Sequence, residues 1–486
     1  MLAPARPGLD RRSGPLVAGG AALAAGAALA GSAVLLGDPM PALTAVVGLG
    51  GAALVVWNRH WALAALAAFV VLNLADVATD FHGAPSLFQP LIGAILLGVA
   101  ARGVLGGGRP ALPARAVVLA GAYVLVAVAS LLFAPAPGDP VGTALGLIKD
   151  AGVAVVAGLL VVRSSSLRTA ARAVVACGGL LAAISVVQFL GGIDSSFAGL
   201  GQWSVENIVG TYDDVRISGP LGDPNFYGQL LVVVLPLALD RMWQERHRAL
   251  RWASGGIAAL VAAAAVFTFS RGAALAVAAV LVVMVVIHRP GLRAVAAVAI
   301  AAALAVPFLP PGYLDRLTTL ADVGTVEGST DVSIRGRTAE VTAAWLMFAD
   351  RPLTGVGYGL YDENYQDYVG GLGIELRSEA RDAHSLYLEV AAETGLPGIA
   401  AMGALILASF AGLRRGRRRF AALGRTEDAR LTGALAASLI GFLITALFLH
   451  LDFARLFWLL VGVALAVPAV AEAEAGAAGP AGEAAR

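Results

Sequence analysis

The sequence predicts an all-α polytopic membrane protein, with about 14 transmembrane helices and a large helical loop on the periplasmic or extracellular side. Composition is the first reason. The chain is 58% hydrophobic and 14% charged, with a mean hydropathy of +0.79, well outside the range of soluble domains. Its apolar stretches, moreover, have the length of bilayer crossings, and arginines recur at every second connection between them.

Read in order, the candidate spans are 15–37, 40–57, 61–75, 86–101, 116–133, 146–162 and 169–190. They continue with 221–239, 252–269, 272–288, 293–308, 396–413, 431–449 and 456–471. Arg6, Arg11 and Arg12 precede the first span, and Arg59 follows the second. Arg102, Arg109, Arg115, Arg163, Arg168 and Arg172 keep the alternation, as do Arg241, Arg246, Arg248, Arg251, Arg289, Arg293 and the block from Arg414 to Arg419. The positive-inside rule places these connections and both termini in the cytoplasm, so every long connection faces outward. The first apolar stretch is too long for a signal-peptide core and a second span follows at once, so it reads as an uncleaved helix. The Ala/Gly/Glu-rich tail, 473–486, is expected to be disordered. The single cysteine, Cys177, excludes an internal disulfide.

The longest apolar run, Gly255 to Ile287, has 33 residues. As one helix it would measure roughly 50 Å, against a hydrocarbon core of about 30 Å. It must therefore break, and Ser270-Arg271-Gly272 is the place. An arginine at membrane depth costs about 2.5–3.5 kcal/mol. Such a residue faces a protein interior or a watery cavity and meets an anion.

Two outward segments are long enough to carry chemistry, 191–220 and 309–395. The second holds fourteen Asp/Glu against six Arg and no Lys. Within it, Val341, Trp345 and Phe348 recur at the spacing of one buried helical face, and Pro352 ends that helix. Gly355, Gly357 and Gly359 then make a bend. Asp382 is positioned to cap a second helix that stops at Gly395, with Pro397 beyond. Together these form a compact helical cap on the outer membrane surface. His384, in the first turn of the second helix, would feel the positive end of the helix dipole, which disfavours imidazolium and leaves a ring able to accept a proton. The alternative is a surface or capping histidine. Arg216, just before a span, belongs to the same outer interface as Arg271. Two guanidiniums and a neutral histidine suit a phosphate or diphosphate beside a hydroxyl that must lose its proton. For Arg216 alone, snorkelling to headgroups is the competing explanation.

These residues lie in segments that resemble the bacterial O-antigen ligase and polymerase superfamily: RISGPLGDPNFYGQLLVVVLPLAL (Arg216 to Leu239), TFSRGAALA (Thr268 to Ala276), RTAEVTAAWLMFADRPLTGVGYGLY (Arg337 to Tyr361) and AHSLYLEVAAETGLPG (Ala383 to Gly398). The resemblance covers roughly 205–410. It divides the chain into N-terminal transmembrane helices (1–190), a ligase-like region including the outer loop (191–410), C-terminal transmembrane helices (411–472) and the tail. What it implies is a metal-independent transfer, without cofactor, of a glycan from a polyprenyl-diphosphate carrier to a hydroxyl-bearing glycan or lipid acceptor. The reaction would occur at the outer face of the cytoplasmic membrane, with the bilayer as the other partner and no nucleic acid. By the same resemblance Arg216, Arg271 and His384 are catalytic, and Arg337 joins the two arginines in substrate binding. Ligase, polymerase and protein glycosyltransferase remain open.

A polysaccharide flippase or another multi-span transporter is the alternative from a different class, since transporters also place charges along a substrate path. The three glycines are no nucleotide loop, because no strand–turn–helix unit or Walker lysine accompanies them. Lys149-Asp150 reads as a buried functional pair or an interfacial ion pair, and Glu389 and Glu393 share a helix face that could equally be solvated.

Overall fold

The computed structural model describes residues 50–55, 57–105, 113–135, 138–207, 213–292, 332–370, 381–451 and 453–478, with isolated positions 296, 307, 309, 310 and 313. The expected spans 15–37 and 293–308, and most of 40–57, lie outside the described residues. The helices are α1 (Arg59–Val71), α2 (Phe88–Leu105), α3 (Ala114–Leu131), α4 (Pro140–Leu160), α5 (Ser164–Gly191), α6 (Pro224–Gln244), α7 (Arg248–Phe267) and α8 (Arg271–His288). They continue as α9 (Val332–Asp350), α10 (Tyr361–Val369), α11 (Leu386–Ala422), α12 (Thr426–Thr445) and α13 (Ala454–Ala478). Among the described residues nine helices are long and apolar enough to cross a membrane, or ten if the bent pair Arg59–Val71 and Leu74–Phe81 is one broken span. The fold is thus an all-α membrane bundle, as its hydropathy requires.

Two breaks follow from local chemistry. The long apolar run divides between Phe267 and Arg271, where Phe269 takes φ 51° and the Ser270 hydroxyl caps α8 by accepting the Ala273 N–H. Within α11, Gly395 takes φ 63° and ψ −160°. A side chain there would meet the Pro352 carbonyl oxygen at 2.6 Å, the oxygen that accepts the Leu396 N–H. Glycine is required because only it reaches this backbone shape and this closeness together.

α6 lies at the centre, packed against α5, α7, α8 and α12, and α13 packs between α4 and α11. The starts of α6, α8, α11 and α13 and the ends of α5, α7 and α12 meet at one end of the bundle. A two-stranded antiparallel hairpin, β1 (Gln202–Asn207) and β2 (Asp213–Gly219), joins them there; the helical reading of the sequence did not anticipate it. The opposite end carries ion pairs, Arg241 to Asp240 at 2.5 Å, both buried, and the exposed Arg172 to the buried Glu245 at 2.7 Å. α13 runs to Ala478 and the Glu474 carboxylate accepts the Ser164 N–H at 2.8 Å, so the first residues of the expected tail are helical.

A cap of α9, α10 and the first turns of α11 covers the hairpin end around its own small core, including Ala343, Met347, Val356, Tyr361 and Tyr365. Its polarity is the reverse of the expected one. Val341 is 45% and Trp345 60% exposed, while Ala339, Glu340, Ala343 and Met347 face inward. In a membrane protein an aromatic face serves the lipid interface as well as a core does, so periodicity finds the helix but not the direction of its apolar face.

Candidate active site

Arg216 sits on β2 and is 2% exposed, which sets aside snorkelling. Its Nε donates to the Thr268 carbonyl oxygen at 2.9 Å and a terminal nitrogen to Asn225 Oδ1 at 3.2 Å. These bonds tie the hairpin to the α7–α8 turn and to the start of α6. That start is fixed by Pro224 in the first turn and by Asp223, whose carboxylate accepts the Asn225 and Phe226 N–H groups at 2.6 and 3.0 Å. Arg271 opens α8 and is 9% exposed. Arg337, on α9 of the cap, lines the same narrow cleft as Arg271, together with Asn225, Ser270, Thr445 and Phe448. Burial and the nearby Arg271 and Arg216 charges lower the Arg337 pKa from its ordinary value. Three guanidiniums from a strand, a span and the cap therefore converge, with the Glu340 and Asp223 carboxylates offsetting part of the charge at Arg337, an arrangement suited to holding an anion.

His384 stands apart from its expected place. The N-cap of α11 is Ser385, not Asp382, and His384 precedes it in the left-handed region at φ 43°. A bulky residue is held there only when its surroundings demand it. Its Nδ1 lies 3.1 Å from the Asp382 carbonyl oxygen and 3.2 Å from Glu340 Oε2. Both neighbours accept, so Nδ1 carries the proton and Nε2 is the basic nitrogen of the neutral ring. Burial works against the imidazolium, but hydrogen bonding and attraction to Glu340 outweigh it and hold the His384 pKa above its ordinary value. The expectation of a ring kept neutral by a helix dipole is thereby corrected: the carboxylate decides, and the ring is not in the helix.

Glu340 is 1% exposed, and its other oxygen takes Arg381 at 2.6 Å. Its pKa is pushed up by burial and down by His384 and Arg381, with a net lowering that keeps it ionised. Sequence reasoning passed over Glu340, although it falls one helical turn after Arg337. It also passed over His450, whose ring lies 5.7 Å from that of His384 and meets Phe226 edge-on at 5.1 Å. The glycine bend is structural. Val356 and Gly357 donate N–H groups to the carbonyls of Ala392 and Glu393, docking the bend on α11. Neither acid of the α11 pair is a plain solvated group: Glu393 is buried and accepts the Tyr361 N–H, and Glu389 accepts the Leu451 N–H.

Residues 256–403 match the family model described as O-Antigen ligase. Over this stretch the likeness to the O-antigen ligase superfamily is shown. The matched stretch contains Arg271, Arg337, Glu340 and His384, while Arg216 lies outside it. The O-antigen ligase match and the bundle together support a membrane protein of polysaccharide biosynthesis. No curated protein matches the chain.

Proposed function

We propose that the chain transfers a glycan from a polyprenyl-diphosphate carrier to a hydroxyl acceptor at the outer face of the cytoplasmic membrane, in surface polysaccharide assembly. The observation that carries this reading is the pairing of an arginine cleft with a histidine oriented by a carboxylate at the same end of the bundle. Arg271 and Arg337, backed by Arg216, hold the diphosphate and take up the charge that builds on it as the anomeric carbon–oxygen bond breaks. His384 Nε2 takes the proton of the acceptor hydroxyl as that oxygen bonds the anomeric carbon, and Glu340 steadies the imidazolium that forms. The products are the extended glycan and the polyprenyl diphosphate. The arginines supply the positive charge that a divalent metal would otherwise bring.

The arginine-rich opposite end then faces the cytoplasm, with both termini. A transporter would use the same charges to move its substrate. The test is to follow lipid-linked glycan in cells carrying Arg271→Lys: under this reading it reaches the outer face and accumulates there unjoined. Retention at the inner face would favour the flippase.

A further inference from the structure

A second cavity, of about 580 Å³, opens beside the active site, within the range of about 300–1,000 Å³ usual for small-molecule sites. Its polar lining is Asn73, Asp76, Asp80, Asp150, Gln202 and Arg455, and Phe226 forms part of its wall. The chain is shaped to make it. After α1 the backbone turns through 66° into a short segment ending in a π-helical turn, Val77–Phe81. Such irregular backbone is tolerated in a membrane bundle where it lines a polar cavity, and π turns recur at functional sites.

Asn73, at the corner, takes φ 49° and is 4% exposed. Its Nδ2 donates to the Pro220 carbonyl oxygen at 3.1 Å, which fixes the amide, while the buried Oδ1 has no hydrogen-bond partner among the described residues. A buried acceptor without a donor is unfavourable, so this oxygen calls for a ligand hydrogen. Arg455 pairs with Asp76 at 2.7 Å and approaches Asp150 at 3.5 Å. That contact resolves the Lys149-Asp150 motif: Asp150 faces Arg455. With two carboxylates engaged by a guanidinium, the cavity presents hydrogen-bonding oxygens rather than a bare cation cage. Among the described lining residues three carboxylates stand against one guanidinium, so an anionic guest is repelled.

We propose that this cavity seats a neutral, hydroxyl-rich sugar unit of the acceptor. Hydroxyl groups donate to Asn73 Oδ1 and the aspartates, and Arg455 and Gln202 donate in return. The position suits the acceptor, because Phe226 separates the cavity from His450, which in turn lies against His384. The subsite rests on the glycosyl-transfer reading and gives it a specificity: neutral sugars over uronic acids.

The experiment is saturation-transfer NMR on the full chain in lipid nanodiscs. The probes are the methyl glycosides of glucose, galactose, mannose, rhamnose and N-acetylglucosamine, and methyl glucuronide. At least one neutral glycoside binds and the glucuronide does not. Asn73→Gly, which keeps the left-handed backbone, and Asp80→Ala, at an exposed position, each weaken that binding about tenfold, the loss expected for one charged or buried hydrogen bond. Should Asn73→Gly fail to fold, Asp80→Ala carries the test alone. No neutral glycoside bound, binding unchanged in the folded variants, or glucuronide bound as tightly would overturn the subsite. Failure of the transfer reading shows elsewhere, as absent binding of a lipid-diphosphate glycan by the wild-type chain.

Discussion

Glu340 Oε2 lies 3.2 Å from His384 Nδ1, across the contact between α9 and the start of α11. The cap thereby brings together a residue of α9 and one from the segment that leads into α11, and the pair controls when the ring can act as a base. Because Glu340 raises the histidine pKa, the neutral ring is populated only as pH rises through that raised value.

Glu340→Gln removes the carboxylate charge at nearly constant size. The histidine then deprotonates at lower pH, so the acid limb of the pH–rate profile moves to lower pH. Turnover at the optimum falls about tenfold because the ring loses its orienting partner and some basicity. An acid limb that stays in place in glycan-transfer assays would show that Glu340 does not govern the ring.

The cap should be sensitive at Gly355. At φ +66° an added Cβ would lie 2.1 Å from the Glu393 carbonyl carbon, so Gly355→Ala must lift the bend from α11. A loss of about 2 kcal/mol or more is expected, read as faster protease cleavage of the cap. Gly93→Ala, with nothing within 4 Å of the new methyl, is the control and should leave cleavage unchanged.

Much of this was legible in the sequence, for identifiable reasons. A run too long for one crossing had to break near Arg271, and a glycine with a proline two residues on had to interrupt the helix at Gly395. Those signals are local. The outward face of Trp345 does not follow from the pattern, because hydrophobicity alone does not separate lipid from protein interior. Asp382 and Ser385 lie one turn apart and both residue types cap helices, so the local pattern alone does not choose between them. Glu340 and Asn73 were invisible because their importance comes from partners distant in the chain, His384 and Pro220.

Orientation is tested by reporter fusions at Gly328 and Gly416. The arginine distribution predicts opposite compartments, with Gly416 in the cytoplasm. The same compartment for both would contradict the topology.

The central claim, that the arginine cleft binds the diphosphate while His384 works on the acceptor proton, is tested most directly by measuring donor binding and turnover in two variants. Arg271→Lys keeps a charge but loses the planar fork that grips a diphosphate. His384→Ala leaves the cleft intact and removes a step worth typically about 10²- to 10⁴-fold in rate. With a lipid-diphosphate glycan, Arg271→Lys should bind weakly and His384→Ala almost normally, and both should turn over slowly. Near-normal transfer by both variants would contradict the account.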